Sequence, residues 1–277
     1  MSDKFFYFFR PIYVPVISKT VEFKSYIVSS LKPYQFDKNR YLGTFLSENT
    51  SGSCSQLSVV SPIIYCFWTG DNEITPNRLK CLKSMKDNCG VKIELITPQN
   101  LATYILPESP LHKGYQYLSL VHRADYLRCY FMHHYGGGYT DIKRHINNWQ
   151  PAFESINQSS NYVLGYREVG YIGVAERKGR IGCDLQNYWR IIAGNGAYIC
   201  RPYTPFTFEW YTELNKRMDF YYDELVKNPG DIFGKNEGYP IPWNRILGAI
   251  FHPLCLKYHD RIILSDIVKP DFTYQYR

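Results

Sequence analysis

No stretch of this 277-residue chain carries five like charges in a row. That argues against the basic arm with which many nucleic-acid-binding proteins grip a phosphate backbone. No two cysteines have Cys-x-x-Cys spacing, and no cysteine–histidine set has zinc-finger spacing, so neither a dithiol redox motif nor a metal-stapled module is indicated. No internal repeat is visible, which sets aside solenoids and propellers. No tract combines low hydrophobicity with high charge as disordered segments do. The aromatic start, "MSDKFFYFFRPIYVPVI", is broken by Arg10, Pro11 and Pro15 and has no small-residue cleavage site. It therefore reads as neither a membrane span nor a signal peptide. Phe5, Phe6, Phe8 and Phe9 leave peripheral membrane contact open beside the plainer reading, an extension that packs on the core.

What is present suits one soluble α/β unit. Hydrophobic residues make up 45% of the chain, enough for a substantial core. The eight cysteines sit largely in apolar runs, such as Cys66 in "IIYCFW" and Cys200 in "GAYICRP". Buried free thiols, and with them a reducing, cytoplasmic setting, are expected. A net charge of +7 favours anionic partners. Because the basic residues are scattered, a phosphate-bearing small molecule accounts for that excess as well as a polymer would.

The first clear unit begins at Pro62. "IIYCFWTG" is a short apolar run and reads as a buried strand. "TPNRLKCLKSMKDN" follows as a helix, with Thr75 as N-cap, Pro76 in the first turn, and Leu79, Leu82 and Met85 at helical spacing. "VKIELIT" is a second strand, so the three make a βαβ unit and the sheet starts parallel. Residues 118–135, "LSLVHRADYLRCYFMHHY", form a helix with Leu120, Ala124, Leu127 and Phe131 along one stripe. His122, Asp125 and Arg128 share another face. Gly136–Gly138 end this helix, and "YTDI" begins a strand. "NYVLGY" and "GAYIC" read as strands, Thr204-Pro205 opens a long helix, and a last helix lies near "WNRILGAIF".

Three glycines suggest a phosphate loop, but that motif runs strand, loop, helix, whereas the order here is helix, glycines, strand. They are better suited to leaving a helix through positive φ and bringing backbone close to bulky neighbours. Asp125 and Arg128 stand on the helix that feeds directly into Asp141. A carboxylate and a guanidinium converging on the end of a parallel sheet can grip sugar hydroxyls and phosphate oxygens.

The block "HRADYLRCYFMHHYGGGYTDIK" resembles the sugar-binding region of glycosyltransferases with the GT-A fold. The similar groups are the capsular-polysaccharide and yeast-type mannosyltransferase-like enzymes and, more distantly, the clostridial glucosylating toxins. Their pattern of Ala-Asp-x-x-Arg, then Tyr-Gly-Gly, then Asp-x-Asp falls on Ala124, Asp125, Arg128, Tyr135, Gly136, Gly137 and Asp141. "PIIYCFWTGDNEITPNRLKCLKSMKDN" is similar to the family's first strand and helix, and "GNGAYICRPYTPFTFEWYTEL" to a later segment with an Asn-containing strand.

The resemblance implies a GT-A-like, Rossmann-like α/β fold with a mainly parallel central sheet over residues 61–277, and an extension over 1–60 that packs on it. It implies a UDP- or GDP-sugar donor, a glycan acceptor and retention of configuration. Donor binding would fall to Phe67, Trp68, Thr69, Gly70, Asp125, Arg128, Gly137, Gly138, Asp141 and Asn195. Trp68 would stack on the base, and Asp141 with Lys143 would carry the chemistry. Tyr239 and Trp243 are candidates for acceptor platforms.

Lys143 departs from the family pattern, in which the second Asp of the pair binds Mn²⁺ or Mg²⁺. Hard cations want oxygen ligands, and an ammonium supplies none. An ammonium can, however, neutralise charge on a leaving diphosphate as the metal does. Three readings follow. Lys143 takes over the metal's function, with Arg144 or His145 near it; or a metal binds Asp141 and a C-terminal ligand such as His252 or His259; or the chain binds nucleotide sugar or glycan without catalysis. Should the reaction invert, Asp184, Asp231 and Glu237 lie in loops where a base could stand.

Overall fold

In the computed structural model, which describes residues 20, 22–48, 57–176 and 178–274, strand β1 (Ile63–Phe67) sets the layers. Its side chains alternate, so Ile64 and Cys66 enter one apolar cluster while Tyr65 and Phe67 enter the other. The first cluster is closed by helices α2 (Pro76–Asn88) and α4 (Gln150–Asn157). The second is closed by α3 (Leu120–His134), α6 (Pro205–Lys227) and α7 (Gly248–Lys257). Helices on both faces of a central sheet make a single Rossmann-like α/β domain.

Among the described residues the sheet has six strands in the order β2-β1-β3-β5-β4-β6. The others are β2 (Lys92–Ile96), β3 (Gly137–Thr140), β4 (Val163–Arg167), β5 (Ala193–Cys200) and β6 (Ile262–Leu264). β1 runs parallel to β2 and β3, and β4 parallel to β6; only β5 opposes its neighbours. The carboxyl ends of β1, β3 and β4 therefore meet the amino end of β5 on one edge. In open α/β sheets that edge is where ligands bind.

The local signals explain the main elements. Thr75 and Thr204 each accept a backbone N–H in the first turn of α2 and α6, with proline beside them. Gly136 and Gly137 have φ of 65° and 88°, and a β-carbon on Gly136 would lie 2.5 Å from Pro202. The chain thus turns from α3 into β3 through backbone that other residues resist. Three expectations need correction. β3 begins at the glycines and stops before Asp141, α7 starts five residues after Trp243, and Leu79 points to solvent while Cys81, Leu82 and Met85 face the core.

The described part of the N-terminal extension, with helix α1 over 22–31, is fastened to α5 (Gly179–Asn187) and the residues after it. Arg40 grips Asp184 through two 2.6 Å contacts, the Tyr41 hydroxyl donates to the same carboxylate, and the Tyr188 hydroxyl donates to the Lys32 carbonyl. Asp184 is thereby an anchor for the extension and not a reserve base. Phe5, Phe6, Phe8, Phe9 and Cys54 lie outside the described residues. Of the seven described cysteines all are free, and only Cys183 is exposed. Among the described residues no helix is long and apolar enough to cross a membrane.

Candidate functional site

Asp141 is the first residue past the carboxyl end of β3, tied to β5 by its N–H on the Gly196 carbonyl (2.9 Å). Its Oδ1 accepts from the Tyr139 hydroxyl (2.6 Å) and from Arg128 Nη2 (3.0 Å), and its Oδ2 lies 2.9 Å from Lys143 Nζ. Tyr139 reaches it because residues two apart at a strand end share a face. Lys143 reaches it differently from what the strand spacing predicts. The strand is over by then, and a tight turn with Lys143 N–H on the Asp141 carbonyl (2.7 Å) swings the side chain back.

Arg128 is held from α3. Its guanidinium lies 4.4 Å over the Tyr139 ring, donates to the Asn195 carbonyl at 3.3 Å, and has Asp125, one turn earlier, at 3.6 Å. Burial alone would raise the pKa of Asp141. The charges of Arg128 and Lys143 and the Tyr139 hydrogen bond outweigh it and hold the carboxyl well below its ordinary range. Asp125 moves the other way: burial raises its pKa, and Arg128 offsets only part of that. One carboxylate is fixed as an anion while its neighbour takes a proton more readily.

These groups form one wall of a cleft of about 670 Å³. Its other walls include Asn195 and Gly196 of β5, Glu168 just past β4, the loop through Ala175, and Trp243. Glu168 is buried, which raises its pKa, although the Val169 N–H and the Lys143 charge pull it down. Behind it, His252 accepts the Ala175 N–H on Nδ1 (3.0 Å), so the neutral ring carries its proton on Nε2, 3.5 Å from Glu168. Burial depresses His252 to about 3, which keeps it neutral.

The structure thus brings together Asp125, Arg128, Asp141, Lys143, Asn195 and Trp243, and separates the rest of the expected set. Phe67, Gly137 and Gly138 are buried in the sheet; Phe67 stacks on Tyr139 and the glycines pair with β5. Trp68 stands at the end of β1, donates to the Asn72 carbonyl at 2.7 Å and packs on the α2–α4 face. The Thr69 hydroxyl bonds the Leu120 carbonyl, and Gly70 lies against Leu120, so this turn docks on the start of α3. Tyr239 stacks on His122 and bonds its Nδ1 at 2.8 Å, which uses its hydroxyl to fasten the late loop. Asp231 accepts the N–H groups of residues 233–235 and shapes the same loop, and Glu237 does not line the cleft.

The residues at Asp141 do not fit a divalent cation. Both carboxylate oxygens already face hydrogen-bond donors, two of them cationic, and the position of the second carboxylate is an ammonium. His252 is fully buried with its Nδ1 accepting the Ala175 N–H, while His259 bonds its own helix end at Leu256. Among the described residues no three His, Cys, Asp or Glu side chains cluster as a metal site. Arg144 pairs with Asp271, and His145 is buried against Thr140, so neither joins Lys143.

Sequence reasoning missed Glu168. Its one signal is alternation: Tyr166 and Glu168 are two apart at the end of "NYVLGYRE", and both line the cleft. The glycines around Asn195 have a related cause. A β-carbon on Gly194 would lie 2.2 Å from the Tyr166 ring, whose hydroxyl accepts the Gly196 N–H.

The chain matches no protein-family model, no curated protein and no solved structure. The chemistry available to it must therefore be read from the cleft itself. Fixed anions suit sugar hydroxyls, fixed cations suit phosphate oxygens, and the two stand within hydrogen-bonding distance of each other.

Proposed function

We propose that this chain transfers a sugar from a nucleoside-diphosphate donor to a hydroxyl of a glycan acceptor, with retention of configuration. The observation that carries the reading is the convergence of Asp125, Arg128 and Asp141, from a helix and a strand end, on one cleft at the carboxyl edge of the sheet. The donor sugar sits against Asp125 and Asp141, which hold its hydroxyls and fix the anomeric carbon. Lys143 and Arg128 face the diphosphate and meet the negative charge that grows as the bond to the anomeric carbon breaks. Glu168 takes hydroxyl hydrogen bonds from the opposite wall. Trp243, exposed at the rim, offers the acceptor a flat apolar face.

In this reading Lys143 serves where the resembled family uses a metal. The test is a thermal-shift panel of UDP- and GDP-sugars, in EDTA and in Mn²⁺, followed by measurement of nucleoside-diphosphate release. A ligand that binds only the folded state raises Tm. One donor class is expected to raise Tm equally in both conditions and to release its nucleotide in EDTA. Lys143→Asp, which restores a second carboxylate, should make both effects depend on Mn²⁺. Binding without release across a broad acceptor panel would favour a non-catalytic nucleotide-sugar receptor. No shift with any donor would sink both.

A further inference from the structure

Helix α1, over residues 22–31, turns its polar side to the protein and its apolar side outward. On the inner side the buried Ser25 hydroxyl donates to the Asn187 carbonyl at 2.8 Å and accepts from Arg190 Nη1 at 2.9 Å. Of the large apolar residues in the helix, only Val28 packs on the core. The others, Phe23, Tyr26, Ile27 and Leu31, recur at i, i+3, i+4 and i+8 and so share one stripe. They are 65%, 58%, 38% and 81% exposed. A surface helix of a folded domain ordinarily does the reverse, burying the apolar stripe and wetting the polar face.

The place of the stripe in the molecule is set by what holds α1. Asn187 and Arg190 come just before Ala193, where β5 starts. The amino end of β5 lies on the edge of the sheet that carries Asp141, whose N–H bonds the Gly196 carbonyl. Helix α1 is therefore fastened at the cleft edge of the domain.

Area, charge and sequence agree on what meets the stripe. At these exposures the four side chains present roughly 500 Å², taking about 200 Å² for each whole side chain. A stable contact with a second copy or another protein needs about 800 Å² from each partner. A helix lying in a bilayer interface needs no more than one apolar face with basic residues beside it. Lys24 stands next to the stripe and Lys32 just past its end, both exposed, whereas Glu22, the one acid between residues 20 and 33, is half-buried. The net charge of +7 draws the whole chain to an anionic surface. Residues 1–19, which lie outside the described residues, carry Phe5, Phe6, Tyr7, Phe8, Phe9 and Arg10, so the adjoining sequence has the same aromatic and basic character.

We propose that α1 lies on an anionic bilayer surface, with Phe23, Tyr26, Ile27 and Leu31 sunk into the interface and Lys24 and Lys32 among the headgroups. The cleft edge of the sheet is then the part of the domain held at the membrane. The inference concerns where the chain sits and stands or falls independently of transfer activity.

The test is co-sedimentation of the full chain with vesicles of phosphatidylcholine alone and of a two-to-one mixture of phosphatidylcholine and phosphatidylserine. The parent should pellet with the mixed vesicles, less with the neutral ones, and less again as salt is raised. Phe23→Gln with Leu31→Gln keeps good helix formers and removes apolar surface; it should weaken partitioning by roughly tenfold or more. Lys24→Gln with Lys32→Gln should weaken it by roughly threefold or more, on the mixed vesicles only. Both double variants should keep the parent's Tm and its response to nucleotide sugars. The inference is overturned if the parent stays in the supernatant with both kinds of vesicle, or if the Phe23/Leu31 variant pellets like the parent. It is overturned equally if that variant loses several degrees of Tm without lipid, which would mean that the chain's own residues cover the stripe. A parent that is dimeric in sedimentation velocity, with the Phe23/Leu31 variant monomeric, would assign the stripe to a second copy and overturn it too.

Discussion

The two ends of α3 solve opposite problems. At one end Asp125 and Arg128 face Asp141 and Lys143, and buried charge is balanced by buried charge. At the other end His133 and His134 sit among tyrosines, neutral because burial drives their protons off, with His134 left unbonded. In the first arrangement the charges are paired, although Arg128 Nε is buried without a hydrogen-bond partner. In the second, both ring nitrogens of His134 are buried and unbonded.

The contrast breaks most severely when Asp141 is removed. Asp141→Ala leaves the Arg128 and Lys143 cations buried together, and losing one partner of such a pair costs about 3–5 kcal/mol. Urea unfolding should show that loss as a lower midpoint with an unchanged slope, together with loss of donor binding. Removal of His134 gives the smallest effect.

Acidification comes next. His133, His145 and His252 are buried and neutral, with pKa values depressed to about 3, 4 and 3. Each binds its proton in the unfolded chain near pH 6.5 and in the folded chain only at those lower values. Their stabilising effect is therefore complete above pH 6.5 and is lost as pH falls towards 3–4. Between pH 7 and pH 5 each should cost on the order of 2 kcal/mol. Asp125 and Glu168 work against this, because their raised folded pKa values let the folded state take protons first as pH falls. Urea midpoints at pH 7 and pH 5 should fall steeply, and less so in His252→Phe, whose ring cannot charge.

A smaller effect is expected of Gly194→Ala. The added methyl would meet the Tyr166 ring at 2.2 Å and push it into the cleft, with an overpacking cost of about 1–3 kcal/mol. Tm should drop and donor affinity should weaken together. At the far end of α3, His134→Phe removes no hydrogen bond, so stability should change by less than about 1 kcal/mol, read by the same urea titration. A large loss there would mean that the ring has a partner within the chain, and the contrast between the two ends would fail.

Much of this architecture was legible in the sequence because its signals are local. The βαβ start, the Thr75 and Thr204 caps and the exit of α3 through glycine depend on residues within a few positions of one another. The pairing of Asp125 with Arg128 is likewise set by helical spacing. Glu168 was not legible because an acid after a strand is ordinarily solvated. It enters the cleft only because β4 lies across β5 from β3, a pairing between segments some 30 residues apart. Tyr239 and Asp184 looked available for chemistry for the complementary reason: nothing near them in sequence announces His122 or Arg40 as their partners.

The sequence by itself determined an α/β domain with Asp125 and Arg128 on one helical face leading into Asp141, since helix periodicity and the glycine turn follow from backbone sterics. Only the tertiary structure decided what those groups became. Lys143 returns to Asp141 through a turn after the strand and occupies both the charge and the space a cation would need, while His134, two turns beyond Arg128, is left without a bond. Whether a buried polar group is satisfied depends on contacts between distant segments, and those are fixed only when the sheet and its two helical layers close.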